Sequence, residues 1–282
     1  MTERAESVTP LGGVLVTGAS SGIGLETCRE LAAHGFRVFG SVRRAEDEAA
    51  VVAKGATPVR LEVTDRASIR AARDQVTTLL AGAPLAGIVN NAGISGAGPL
   101  ELLDLDEFRK MFEVNTLGAV GVTQEFLPLL KAARGRIVNI SSVSGRVAPP
   151  FMAPYAASKF ALEAISDCMR HELHPFGVDV IVIEPGIIRT PIWEKGAKAD
   201  LAAVRNTPYE KVLTRMRDYA ASVGQGAIPP SRVAAAILHA LTARRPSARI
   251  PVVRNWFFFT LRTFVPDRIR DRRVALRTWG GI

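Results

Sequence analysis

The chain of 282 residues has only two cysteines, Cys28 and Cys168, and both fall within helical patterns. So few thiols exclude a disulfide framework and make a reducing compartment the expected setting. Both read as small buried hydrophobes. No apolar run approaches the roughly 20 residues that a membrane span needs. The opening MTERAESVTP is too polar and acidic to read as a secretion signal. A cytoplasmic protein is expected, touching a membrane only from its surface. Histidines are few: His171 and His174 stand three apart on a helix without a third ligand at a workable spacing, so no metal site is expected. Acidic residues are outnumbered, giving a net charge of +9. That surplus does not point to nucleic acid. From Arg254 to Arg277, seven arginines face two aspartates, so a net +5 sits in one tail, and no nucleic-acid motif accompanies it.

What the chain does have is core: 48% hydrophobic residues, with 24 glycines and 17 prolines spread along it. Short apolar runs at 14–18, 36–42, 57–63, 85–93, 135–142, 178–186 and 248–253 read as strands. Amphipathic stretches between them read as helices at 23–34, 46–53, 106–131, 153–175 and 231–241, and another runs from an Asp65 N-cap through Val76. Pro128 should bend the end of the long 106–131 helix. Continuous apolar strands alternating with helices predict a doubly wound parallel sheet, a three-layer α/β/α fold. No linker composition interrupts residues 1–253, read as one domain with a variable substrate lid at about 187–229. Residues 254–282 read as an appended basic, aromatic tail.

The first strand turns into the first helix through TGASSGIG, with Gly18, Gly22 and Gly24 in a GxxxGxG spacing. Glycine permits the tight turn and lets the backbone approach a pyrophosphate placed at a helix N-terminus. The end of the second strand lacks the acidic residue that accepts hydrogen bonds from an NAD ribose; Val42-Arg43-Arg44 stands there instead. Arg43 can grip a 2′-phosphate, so NADP(H) is favoured and NAD(H) is the alternative. In PYAASKFALEAISD, Tyr155 and Lys159 are four apart and share a helix face. That spacing fits either a solvated surface pair or a phenol tuned by an ammonium.

TGASSGIG, NNAG (90–93), Asn115 in FEVNTLG, Ser142 in NISSVSG, YAASK (155–159) and EPG (184–186) occur in this order. Together they resemble the short-chain dehydrogenase/reductase family, over about residues 11–253 and in its single-domain Rossmann form. The resemblance implies hydride transfer between a nicotinamide and an alcohol or carbonyl. It makes Tyr155 the acid or base, Lys159 the cation that favours the phenolate and binds ribose, and Ser142 the holder of the substrate oxygen. Asn115 would hold a water linking Lys159 to solvent. Adjacent Ser141 is the weaker candidate, because successive strand residues face opposite sides. The resemblance also implies cofactor contacts from Thr17, Gly18, Ser20, Ser21, Gly22, Ile23 and Gly24 of the phosphate loop. Asn90, Ala92 and Gly93 would lie near the adenosine ribose; Pro185, Gly186, Ile188 and Thr190 would flank the carboxamide. Glu62-Val63 stands where the family commonly has Asp-Val at the adenine.

A substrate pocket is expected from Ile94, Val143, Phe151 and Met152 on one wall and from Ile192 and Trp193 in the lid. This apolar inventory, without an arginine clamp, predicts a lipophilic alcohol, ketone or aldehyde. The segment 160–186 resembles the retinol and hydroxysteroid dehydrogenase branch, which implies the same class. Two readings of the tail stand open, an interfacial helix on anionic lipid and a cap over the substrate mouth or a subunit interface. The family resemblance implies a homodimer or homotetramer through 106–131 and 153–175. An inactive NADP-sensing protein on the same fold is the competing functional reading. Such a protein has no need of the Asn115, Ser142, Tyr155 and Lys159 set.

Overall fold

The apolar runs become strands because each can bury both of its faces. In the computed structural model, which describes residues 11–191, 201–222, 226–255, 259 and 265–280, β1 (Gly13–Val16) is buried along its whole length. It lies inside one parallel sheet with β2 (Arg37–Val42), β3 (Thr57–Arg60), β4 (Leu85–Asn90), β5 (Arg136–Ile140), β6 (Asp179–Pro185) and β7 (Arg249–Val252). The strand order is β3-β2-β1-β4-β5-β6-β7, so the winding direction reverses between β1 and β4. That reversal opens a crevice at the carboxyl ends of the strands, where ligands bind in sheets of this kind.

Side chains alternate along each strand and feed two cores. Val14 and Val16 join Cys28, Leu31, Ile181, Ile183, Val233 and Ile237 on one face, under α1 (Gly22–Ala33) and α8 (Pro230–Thr242). Leu15 joins Phe39, Ile69, Val76, Ile88, Phe126 and Ile137 on the other, under α3 (Arg66–Leu80) and α5 (Gly118–Ala133). The remaining α-helices among the described residues are α2 (Glu48–Val52), α4 (Leu105–Phe112), α6 (Ala153–Leu173), α7 (Glu210–Ser222) and α9 (Asp267–Trp279). Asp65 caps α3 as expected, accepting the Ala67 N–H at 2.9 Å. Among the described residues, no helix is long and apolar enough to cross a membrane.

Three local expectations need correction. The predicted helix at 106–131 is two helices joined by a π-turn over Glu113–Leu117. There the buried Asn115 amide donates to Ser158 Oγ (3.0 Å) and Thr116 Oγ1 to Ser158 O (2.9 Å), tying the widened turn to α6. Such turns concentrate at functional sites. Cys168 is exposed, because it lies off the α6 face that carries Leu162, Glu163 and Ser166 inward. Cys28 is buried, and burial pushes its thiol up to about 12. Finally, α7 forms inside the stretch read only as a variable lid. Ile192 and Trp193, and Trp256 to Phe258 of the tail, lie outside the described residues.

Candidate active site

The phosphate loop is built where only glycine fits. Gly18 and Gly22 have φ of +64° and +56°. A Cβ on Gly18 would lie 2.8 Å from Ala92 Cα, and one on Gly24 would lie 2.4 Å from Gly18 O and 2.5 Å from Asn91 Nδ2. Asn91 is the brace: its amide donates to Thr17 O (2.8 Å) and Gly18 O (3.1 Å). Thr17 Oγ1 in turn accepts the N–H groups of Asn91 (2.9 Å) and Ala92 (3.0 Å). Asn90, expected near the adenosine ribose, donates its amide to Thr123 Oγ1 (3.0 Å) and Asn139 Oδ1 (2.8 Å) in the interior, and its buried Oδ1 has no partner among the described residues. Both asparagines were visible in NNAG, and strand alternation separates their roles.

Beyond the loop, α1 begins at Ser21 without a side-chain cap and without an acidic residue in its first turn. Its first N–H groups therefore keep unmet capacity for an anion. Ser20 and Ser21 are half-buried and exposed at this end, while the Ile23 side chain packs on the core. Thr190 closes the opposite side, its Cγ2 3.2 Å from where a Gly22 Cβ would stand. An uncapped helix start, glycines with no room for a Cβ and a threonine across from them fit a dinucleotide pyrophosphate.

At the β2 and β3 ends, Arg44 is engaged with Glu46 (2.8 Å) and Asp47 (3.2 Å). The Arg43 side chain is 70% exposed and meets Glu62 Oε2 only loosely, at 3.8 Å. Glu62 Oε1 accepts from Thr64 N (3.2 Å) and Oγ1 (3.1 Å), so this carboxylate is largely committed locally rather than free for an adenine amino group. Val63 is buried, in the space left by Gly118.

The carboxyl ends of β4, β5 and β6 bring the reactive side chains together. Ser142 follows β5 and accepts the Ser144 N–H at 3.1 Å. Its hydroxyl lies beside the Tyr155 phenol, whereas Ser141 Oγ turns away toward Gly145. Lys159 Nζ donates to Ile140 O (2.8 Å) and stands 6.0 Å from the centre of the Tyr155 ring. Asn115 clamps the strand end at Ile94, accepting its N–H (2.8 Å) and donating to its carbonyl (3.0 Å). Gly93 makes that approach feasible: a Cβ there would lie 3.2 Å from Asn115 Oδ1 and 3.7 Å from Lys159 Nζ.

Residues 13–200 match the short chain dehydrogenase family. The chain belongs to that family. It is 34% identical to the NADPH-dependent 3-dehydrocapnine reductase of Ornithobacterium rhinotracheale, the alignment covering 92% of this chain and 94% of the relative. It is 35% identical to mouse retinol dehydrogenase 5, over 94% of this chain and 87% of the relative. A short chain dehydrogenase of Burkholderia cenocepacia, solved in complex with NADP, superposes with a TM-score of 0.72 at 26% identity, covering 96% of this chain and 98% of that one. This short-chain dehydrogenase is therefore an oxidoreductase with a Rossmann-type sheet, built to bind a nicotinamide cofactor.

Two pKa shifts describe Tyr155 and Lys159. Burial pushes the Tyr155 phenol above its ordinary value of 10.0, and the Ser142 hydrogen bond pulls part of the way back. Burial pushes Lys159 down from 10.5 to about 8, while the charge of Glu163 acts in the opposite sense. The lowering of the phenol expected from Lys159 is not seen: burial governs the Tyr155 phenol, and the one opposing group is Ser142. Because unfolded lysine holds its proton to higher pH, the folded protein binds fewer protons between about 8 and 10.5. This group's contribution to stability therefore rises with pH through that window.

Beneath Lys159 lies a charge network that motif reading passed over. Arg249 Nε reaches Glu163 Oε2 (2.9 Å) and Glu184 Oε1 (3.6 Å), its NH2 reaches Asp167 (2.7 Å), and Arg146 pairs with Glu184 (3.0 Å). Its one sequence signal was an acidic residue one turn after Lys159. Removing that charge in Glu163→Gln should move the alkaline fall of kcat/KM to lower pH, because Lys159 then loses its proton sooner. A pH profile checks this; equal loss at every pH would show a merely structural role.

On the substrate side, Val143 opens the turn after Ser142, and Phe151 and Met152 lead into α6. Pro185 ends β6, and the Gly186 N–H donates to Val252 O at 3.0 Å. Ile188, expected at the carboxamide, is 4% exposed and packs into the core opposite Ile228, leaving its backbone to line the cleft.

Proposed function

We propose that this chain is an NADP(H)-preferring reductase of lipophilic ketones or aldehydes, running the reverse oxidation of the alcohol at higher pH. The observation that carries the reading is the Tyr155 phenol beside the Ser142 hydroxyl, with buried Lys159 one turn on and the glycine cradle across the crevice. The bound nicotinamide supplies the hydride to the carbonyl carbon. Tyr155 holds a proton at its hydroxyl and delivers it to the carbonyl oxygen as negative charge grows there. The raised phenol pKa keeps Tyr155 protonated at neutral pH, which suits an acid. Ser142 can donate to the same oxygen. Lys159, anchored on Ile140 O, keeps a positive charge near the phenol below about pH 8 and offsets the phenolate left behind. Asn115 fixes the strand end at Ile94 beside Lys159, through a bond on each side of its amide.

The apolar wall of Ile94, Val143, Phe151 and Met152 supports a lipophilic substrate, as do relatives named for retinol and 3-dehydrocapnine. NADP(H) preference is supported by Arg43, whose exposed guanidinium is paired only loosely, with Glu62 at 3.8 Å. A hydrogen bond between charged groups contributes about 1.5–3 kcal/mol, so Arg43→Ala should raise KM for NADPH by roughly tenfold or more. KM for NADH should move little. Equal changes for the two cofactors would remove Arg43 from the specificity account.

A further inference from the structure

Three separate walls of the substrate side each send one aromatic ring to the same point. Phe151 comes from the loop that leaves Ser142 and returns at Tyr155. Tyr209 comes from the segment leading into α7, and Trp279 from the last turn of α9. The ring centres of Phe151 and Tyr209, and of Phe151 and Trp279, are each 6.0 Å apart and edge-on. Tyr209 and Trp279 are 6.1 Å apart. These separations and tilts are the ones aromatic pairs favour.

The Phe151 backbone is held unusually. Its φ is +63°, a left-handed conformation that a bulky residue seldom adopts and that costs free energy unless its surroundings enforce it. Its carbonyl accepts the Gly98 N–H at 2.7 Å, which holds it there. Gly98 belongs to the loop that follows β4, so the strained residue also ties two substrate walls together. At its far end the Tyr209 hydroxyl lies beside the Glu101 carboxylate.

The third ring is held differently. No residue of α9 is buried, and Trp279 itself is 41% exposed. Among the described residues, the contacts of this helix include two in its last turn, the Trp279 ring against Phe151 and Tyr209 and Arg215 donating to Thr278 O at 3.0 Å. A ring held in a strained conformation thus meets one carried on a helix that buries no residue.

We propose that Phe151, Tyr209 and Trp279 form an aromatic gate over the approach to Tyr155, and that Trp279 sets the bulk of substrate admitted. The tail then acts as a cap, and its most C-terminal tryptophan is a specificity determinant. The proposal rests on the carbonyl-reductase reading of the same site, and the test separates the two.

Trp279→Ala and Trp279→Phe are assayed with NADPH against ketones graded in bulk. In Trp279→Ala, kcat/KM for the bulkiest ketone should rise about tenfold relative to the smallest, the scale of a pocket relieved of a few carbons. Trp279→Phe should stay close to wild type, and NADPH affinity should be unchanged in both. A uniform change across the series, or none, overturns the gate. The binding arm uses the Tyr155→Phe background loaded with NADPH, where calorimetry reads ketone affinity without turnover. Relaxed size selection there with Trp279→Ala upholds the gate, even if wild type reduces no ketone and the reductase reading falls. Size selection left intact by Trp279→Ala overturns the gate, whatever the turnover.

Discussion

Tyr155→Phe should lower kcat on the order of 10³-fold while leaving NADPH affinity within about twofold, since a positioned general acid contributes between roughly 10² and 10⁴. The change removes one oxygen and keeps the ring, so the packing of α6 should survive. What is lost is the proton. A carbonyl that gains hydride without a partner proton carries full negative charge in a buried site, and Ser142 can only donate a hydrogen bond to it. Cofactor binding should persist because the glycine cradle, the open start of α1 and Arg43 are untouched. Equilibrium titration of NADPH with stopped-flow turnover checks both halves. Turnover that survives in Tyr155→Phe would remove this residue from the chemistry, and lost NADPH binding would show that it holds the cofactor instead.

Gly24→Ala should damage the cofactor site severely. Its Cβ would stand 2.4 Å from Gly18 O and 2.5 Å from Asn91 Nδ2, and neither backbone nor brace can retreat without opening the loop. Overpacking of this kind costs about 3 kcal/mol and displaces the N–H groups that face the phosphates. Gly35→Ala is the contrast: φ there is +84°, but nothing lies within 4 Å of the new methyl. It should cost only the left-handed penalty of about 1–2 kcal/mol. Thermal unfolding and NADPH titration of the two variants separate a general loss of stability from a loss of the cradle. If both lose NADPH binding alike, the close approach of Gly24 is not what shapes the site.

The parts of this account that were readable in sequence are those set by local period. The i, i+4 spacing of Tyr155 and Lys159 survives because α6 is a regular helix, and the alternation that separates Ser142 from Ser141 survives because the backbone stays extended past the end of β5, as far as Ser142. A parallel, doubly wound sheet could be expected because apolar runs alternated with helices. The rest depends on partners distant in sequence. The π-turn at Asn115 arises from hydrogen bonds to Ser158, 43 residues away. Asn91 rather than Asn90 braces the phosphate loop because its amide reaches Thr17, 74 residues away. Periodicity offers no signal for either. Cys168 was misplaced because a helical pattern without partners does not say which face turns inward. Nor does anything local bring Trp279 onto Phe151.

Hydride transfer to a carbonyl carbon is tested most directly by following the label. NADPH carrying deuterium at its transferable position is incubated with this short-chain dehydrogenase and a lipophilic ketone, and the alcohol is examined by NMR. The account predicts deuterium on the carbinol carbon, one for each NADPH consumed, appearing on the order of 10³-fold more slowly when Tyr155→Phe replaces the wild-type protein. NADPH consumed with no deuterium on that carbon would contradict it.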